Sequence, residues 1–560
     1  MKLLLRFLLG FGILFSSQTV YSQAVIEKEN LKHFPKKNDR YPYEGIEYDN
    51  ELAYVTHHPS LQLTPSSFLT IWTPSNKSYR HRMVKRYNLV LEQEWESLFK
   101  MEYEEEVLNM AKVDTQVVIL TSYFDRPAKQ QVVKARYMGL ESGIIHEEKI
   151  LFMAMDARSD NVIHMAMSAD SSRYLLYYYD MKVKRKRAYV NHDFLLTNEY
   201  LGHRAVKADM VPFAVFDKGF ERVYADTMDI NLDRDKRSFS LGCQIDLMGN
   251  VYATIFEKPS NLSIVQFSAS TRTEKELTYY DFPDFWSEND IYQTHMPGII
   301  GENGHVYIAI SDREKLRGNW HTLGFKILDF DFEKEEVDTE RNVRTNSTVH
   351  IQVSKAREKF GLKPAKRFDK YMILDIRLMD DQSMWLVTQK IEEERLVSSY
   401  TGTAGFLPRM GMHLQEIVLF EFDPLGEYQR SIVVPSQQYS FASETQPSLF
   451  FHLTHDKENN KFKILTEEKD GEKLNLSERL FYREVDLATS EVSERKLIYK
   501  GRRNFQLWYK FYTLWLNHSI LATMVEEGYR EKVYLMTIDL NAEPEDKKKK
   551  KKNNEQAARR

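Results

Sequence analysis

The chain has 560 residues, 29% of them charged, with a net charge of −4 and one cysteine, Cys243. No disulfide can form within it, so its stability has to come from buried apolar surface, which a chain of this length supplies. With Lys2 and Arg6 and the net +7 of residues 547–560 set aside, the body carries −13, and an acidic body excludes a nucleic-acid-binding domain built on basic surface.

Lys2 and Arg6 lie at the start of an apolar run, Leu3–Phe15, followed by polar Ser16–Thr19 and then Val20-Tyr21-Ser22-Gln23-Ala24. That order is the n-region, h-region and small-residue cleavage pattern of a secretory signal, expected over 1–24 with cleavage after Ser22 or Ala24. The run is too short to span a bilayer, which takes about 20 apolar residues; a short signal-anchor is the alternative. No later apolar run approaches that length, so the mature chain is expected to have no transmembrane segment and to be periplasmic or secreted.

From residue 41 to 541 the chain is dominated by short β signals. Gln116–Tyr123, Arg173–Tyr179, Val251–Phe256 and Glu416–Phe422 are rich in β-branched and aromatic residues, and turn residues such as Gly249-Asn250 and Asp423-Pro-Leu-Gly426 bound them. Leu91–Met110 also fits a helical stripe through Leu91, Trp95, Leu98 and Phe99, and a short helix is expected at Lys355–Phe360, with Ser354 as N-cap and Gly361 ending it. Cys243 lies in Phe239–Ile245, which reads as an inner strand with a buried, inert thiol.

The strands group in fours. First strands are expected near Leu52, Val107, Val162, Ser240, Gly298, Ile373, Leu449 and Trp508. Radial repetition of four-stranded sheets predicts an all-β fold, a β-propeller of seven or eight blades, its last sheet completed by an N-terminal strand near Tyr41–Tyr48. Met167-Ser-Ala-Asp-Ser-Ser-Arg-Tyr174 resembles the "SPDG" turn between the first two strands of a blade in many bacterial propellers, with Ala and Ser for Pro and Gly. Met379-Asp-Asp-Gln-Ser-Met-Trp-Leu-Val387 is similar to its "D-G-x-x-W/Y-L" variant, with Gln382 at the Gly position. The resemblance is to a divergent, uncharacterised family of secreted bacterial propellers; it implies the fold and transfers no catalytic residue.

In this register the turns joining first to second and third to fourth strands are short. The long connections, 181–211, 282–295, 311–321, 343–369, 390–413 and 435–446, all fall on the opposite rim, with His57–Pro65 as the exception. Long loops on one rim of a scaffold are where binding surfaces are built. Predicted loops there carry Arg80, His81, Trp286, Arg313, Arg317, Trp320, His321, Tyr400, Arg409, Gln437 and Tyr439. Arginine offers forked donors for carboxylate, sulfate or phosphate, and Trp or Tyr a stacking face for sugars or side chains. The bland alternative is a set of solvated loop residues.

One loop also holds Asp284, Glu288 and Asp290 beside Trp286, a composition compatible with glycoside hydrolysis, which needs two carboxylates flanking the bond. His57-His58 and His452-Leu-Thr-His455 are the close histidine pairs, without an evident third ligand; no metal site is expected, and no cofactor motif occurs. Residues 542–560 cannot bury apolar surface and are expected to be disordered, with Lys547–Lys552 available to an anionic surface. Three functions stay open: an exported binding or scaffold protein presenting the loop-rich rim to an envelope protein or glycan, a glycan-cleaving or related hydrolase with its site on the same rim, and a structural subunit of an envelope complex.

Overall fold

The computed structural model describes residues 25–540 except 31–59, 73–80, 155–162, 179–209, 231–237, 281–297, 359–370, 397–408, 470–477 and several shorter stretches. Seven antiparallel sheets, each built from consecutive strands, follow one another over 60–100, 106–154, 164–229, 238–279, 298–344, 371–447 and 451–500. These are blades 1 to 7 of a β-propeller. A further sheet joins the C-terminal strands between Phe505 and Asp539 to Val25–Asn30, which pairs antiparallel with Lys532–Asp539, Val25 opposite Asp539 and Asn30 opposite Tyr534. The ring is therefore closed by an N-terminal strand, as expected. The strand is Val25–Asn30 and not Tyr41–Tyr48, which falls outside the described residues. The sheet framework thus begins upstream of residue 41. The leader, the tail and the first-strand positions Leu52 and Trp508 also lie outside.

Apolar cores fill the spaces between neighbouring sheets. Phe213, Tyr177 and Val215 of blade 3 pack with Cys243, Val251 and Phe267 of blade 4, and Phe325 and Ile327 of blade 5 with Ile373, Leu386 and Phe420 of blade 6. Cys243 is fully buried in the inner strand Ser238–Ile245, as its surroundings predict.

Beyond packing, side-chain donors on one rim reach into the next sheet's turn carbonyls. Trp95 Nε1 donates to the carbonyl oxygen of Leu140 at 3.1 Å, Tyr224 Oη to Gly249 at 2.6 Å, Tyr252 Oη to Gly304 at 3.2 Å and Arg341 Nη2 to Pro424 at 3.3 Å. Tyr137 to Gly219, Arg430 to Leu487 and Lys496 to Leu540 continue the series, and Thr537 Oγ1 to Leu89 at 2.8 Å closes it onto blade 1. Every junction carries such a bond, all on the short-turn rim. A buried carbonyl at a turn needs a donor, and the neighbouring blade supplies it.

The turns have a common conformation. Between first and second strands, Asp114, Ser171, Gly249, Gly304, Gln382 and Asn460 take positive φ. Ser171 and Gln382 take positive φ although neither is a glycine. Between third and fourth strands, Asn88, Asp217, Asp423 and Asp486 cap the turn by accepting backbone N–H groups from residues two to four further on, an Asx device.

Three local expectations are corrected. Leu91–Met110 contains two strands, Gln93–Lys100 and one starting at Glu106, because Trp95, Ser97 and Phe99 turn inward with period two while Leu98 stays exposed. The helix, here α1, runs Ser347–Glu358, earlier than Lys355–Phe360. Its buried stripe is Val349, Val353 and Arg357, and a stripe of two valines and an arginine carries little apolar signal. Finally, Ser60–Thr64 within the presumed loop His57–Pro65 is the inner strand of blade 1.

Candidate functional site

Second-to-third hairpins and blade-to-blade links share one rim by the geometry of a four-stranded meander. That rim is enlarged around blades 5 and 6. The blade 5 hairpin, Val306–Leu316 and Asn319–Asp331, stays paired to its tip, Leu316 opposite Asn319. In blade 6, Met384–Leu396 pairs with Arg409–Phe422 out to Leu396 opposite Arg409, and an added strand, Gln438–Ser443, flanks its tip through Met410–Leu414. The described residues of 311–321, 390–413 and 435–446 are therefore mostly strand, where irregular loops were expected. Their charged runs (Asp312 to Lys315, Glu392 to Arg395) read as loop because they lack the alternating apolar pattern of a strand.

Helix α1 contacts the third and fourth strands of blade 6. A buried polar network fixes it there. Arg357 Nη1 donates to Gln415 and lies 3.3 Å from both carboxylate oxygens of Glu416, whose Oε1 also accepts from the Tyr371 hydroxyl. The Arg357 and Glu416 side chains are 8% and 3% exposed, so each charge depends on the other and removal of one strands its partner. Gln389 Nε2 donates to the Gln415 carbonyl at 3.1 Å, and Ser431 donates to Gln352 of the helix.

The same device recurs at the link into blade 2. Arg136 Nη1 lies 2.6 Å from Glu105 Oε1, with side chains 1% and 0% exposed, and the Thr121 hydroxyl donates to the same carboxylate. Burial alone would push the Glu105 carboxyl up, but the Arg136 guanidinium, the Thr121 hydroxyl and the Glu102 amide hold it below its ordinary value. Two links on this rim, into blades 2 and 6, are thus pinned by desolvated ion pairs.

Six of the residues selected from sequence fall among the described ones, and the backbone register places all of them on this rim. His81 opens the third strand of blade 1 and is half-buried. Arg313 stands opposite Thr322, Trp320 opposite Lys315 and His321 opposite Glu314 in the blade 5 hairpin. Arg409 lies opposite Leu396, and Tyr439 opposite His413. All six are strand residues, not loop residues. Arg80, Arg317, Tyr400, Gln437, Trp286 and the carboxylates Asp284, Glu288 and Asp290 lie outside the described residues.

Sequence reading missed a charged cluster on the short-turn rim of blade 5. His305 Nδ1 lies 2.8 Å from Asp329 Oδ1 and its Nε2 3.5 Å from Asp331 Oδ2. Arg341 bonds Asp329 Oδ2 at 2.8 Å, and Lys334 lies 3.1 Å from Asp331. The Asp329 bond raises the His305 pKa against the opposing effect of burial. Asp331, which burial would raise, is held low by the Lys334 backbone and side chain. The available signal was the apolar-Asp pair that ends third strands, Phe216-Asp217, Phe330-Asp331, Phe422-Asp423 and Val485-Asp486. As for the histidine pair, burial pushes His452 down to about 4, with Arg377 adding to the shift, and the His455 ring packs edge-on against Phe462.

No family model matches the chain, and no curated protein matches it. Solved structures similar to it include the WD40 domain of SCAP from fission yeast, 6% identical with a TM-score of 0.33 over 87% of this chain and 96% of that one. The β-propeller domain of the Trilobed protease from Pyrococcus furiosus is 9% identical with a TM-score of 0.35 over 80% and 99%. The polysaccharide lyase Uly1 is 11% identical with a TM-score of 0.30 over 78% and 90%. At these values the neighbours bring no function to the chain, and the propeller assignment rests on its own sheets and register.

Proposed function

We propose that the chain is an exported, non-enzymatic binding or scaffold protein that presents its enlarged rim around blades 5 and 6 to an envelope protein or glycan. The observation that carries the reading is the pairing of long projecting hairpins with a helix stapled beneath them by the buried Arg357–Glu416 pair. Projecting ribbons on a pinned base hold recognition groups in fixed positions at low entropic cost. The basic and apolar leader, Lys2 to Phe15, supports export, and Lys547–Lys552 is assigned to an anionic surface that would hold the rim near its partner.

The test is capture from solubilised envelope by the full chain, a tip variant (Arg313→Ala, Trp320→Ala, Arg409→Ala, Tyr439→Ala) and a chain lacking 547–560. The tip variant should lose the captured species, while Leu425→Ala, on the opposite rim and 84% exposed, should keep it. Equal capture by the tip variant and the unaltered chain would refute the reading.

A further inference from the structure

A groove of about 890 Å³ runs along the outer circumference between blades 4 and 5, from Asn261 and Tyr280 at the ends of their strands on the long-connection rim to Glu335 in a turn of the opposite rim. It lies where the outer strand of blade 4, Glu274–Tyr279, passes the outer strand of blade 5, which is broken into Glu336–Asp338 and Asn342–Arg344. Its volume falls in the ~300–1,000 Å³ range of small-ligand sites.

Leu277, Tyr279 and Val337 pack against the core between the two blades and form a short apolar strip in a lining that is otherwise mostly polar. Beside it Tyr280 is 69% exposed, and an aromatic ring left in water at the edge of a groove is a stacking face without a protein partner to cover it. Asn261, Glu276, Lys326 and Thr339 supply amide, carboxylate, ammonium and hydroxyl groups around that strip. Two ion pairs brace the walls. Lys275 crosses from blade 4 to Glu335 of blade 5 at 2.9 Å, and Lys326 lies 3.6 Å from Asp312.

A mostly polar lining of mixed donors and acceptors, a short apolar strip and an exposed ring match a sugar, whose edges carry hydroxyls and whose faces are apolar. The charge narrows the class. Glu276 and Glu335 face the single Lys326 among the lining residues, and Lys326 and Glu335 are each engaged by an opposite charge, so no surplus of cations awaits an anionic glycan. An extended peptide added to the edge of Glu274–Tyr279 fits less well. That strand opens Glu-Lys-Glu, and charges along an edge strand are the usual guard against strand addition.

We propose that the groove between blades 4 and 5 is a binding site for an uncharged oligosaccharide, with Tyr280 as the stacking platform and Asn261 and Glu276 as hydroxyl partners. The assignment is independent of the rim, and its failure leaves the rim reading untouched.

The experiment is calorimetric titration of the full chain with cello-, xylo-, manno- and chitohexaose, with hexagalacturonate as the anionic control and a strand-forming peptide as the competitor. At least one neutral hexaose should saturate, and hexagalacturonate should not. Tyr280→Ala should weaken that binding roughly three- to tenfold, Tyr280→Trp should retain it, and both should melt with the unaltered chain because the position is exposed. No saturation by any neutral hexaose, an undiminished affinity in Tyr280→Ala, tighter binding of the anionic hexamer, or displacement of the sugar by the peptide would each overturn the proposal.

Discussion

Replacing His305 by Gln tests the charged cluster on the short-turn rim. The imidazole sits between two carboxylates, Asp329 at 2.8 Å and Asp331 at 3.5 Å, with Arg341 on the far side of Asp329 and Lys334 against Asp331. The stacked Tyr307 ring, 6.0 Å away, completes its surroundings. The folded-state pKa is raised above the unfolded value of 6.5, so the stabilisation is fully present below pH 6.5 and is lost as pH rises through the folded value. A hydrogen bond to a charged partner contributes ~1.5–3 kcal/mol, and partial exposure of the ring with repulsion from Lys334 reduces this to ~1–2 kcal/mol. Urea unfolding of the variant and the unaltered chain at pH 5.5 and 8.5 is the assay. Subtracting the two removes the other histidines. The variant should be destabilised by that amount at pH 5.5 and much less at pH 8.5. A difference that is the same at both pH values, or larger at the alkaline one, would refute the reasoning.

Glu105→Gln addresses the acid side. Its carboxyl is held low, so its stabilisation exists above the unfolded value of 4.5 and disappears as pH falls through the folded one; the variant's deficit should be greatest near pH 7 and shrink towards pH 3, measured by denaturant midpoints. Tyr224→Phe removes a 2.6 Å bond to the Gly249 carbonyl across the blade 3–4 junction and should cost ~0.5–1.5 kcal/mol with faster hydrogen exchange confined to that junction. Deleting Val25–Asn30 exposes the edge of Lys532–Asp539. That edge should drive concentration-dependent association, read by light scattering, while a chain shortened only by 1–24 stays monodisperse.

The sheet pattern was legible because core strands declare themselves. Val117-Val-Ile-Leu120 and Ile417-Val-Leu-Phe420 are wholly buried runs, and the left-handed residue at the first turns of blades 2 to 7 sits where a small or polar residue breaks the pattern, as at Gly249 and Asn460. Elements that owe their structure to something other than a core were not legible. Val25–Asn30 is polar at four of its six positions, Glu27 to Asn30, and it becomes a strand only because a distant edge needs a partner. The hairpin extension Asp312–Leu316 is charged from Asp312 to Lys315 and lacks the period-two apolar pattern, so nothing in the sequence declares its pairing. Helix α1 shows two valines and an arginine whose partner, Glu416, lies in another element. The His305 cluster assembles three turns and strands separated by up to 36 residues, and no local spacing encodes such a meeting.

The two rims divide the labour of the fold. On the short-turn rim each junction commits a side-chain donor to a specific neighbouring carbonyl, from Trp95 to Leu140 around to Thr537 and Leu89. Lengthening a turn there would displace its carbonyl from the donor and lose the bond, at ~0.5–1.5 kcal/mol, and more at the buried Tyr224–Gly249 junction. On the opposite rim, two of the described links are fixed at their bases by Arg136–Glu105 and Arg357–Glu416, and what lies beyond such anchors can lengthen at little cost, since loop entropy grows only as the logarithm of length. Insertions therefore collect where the ring does not depend on them. An enlarged rim follows from where the donors are, and a site that must change shape to follow its partner is placed where such change leaves the ring intact.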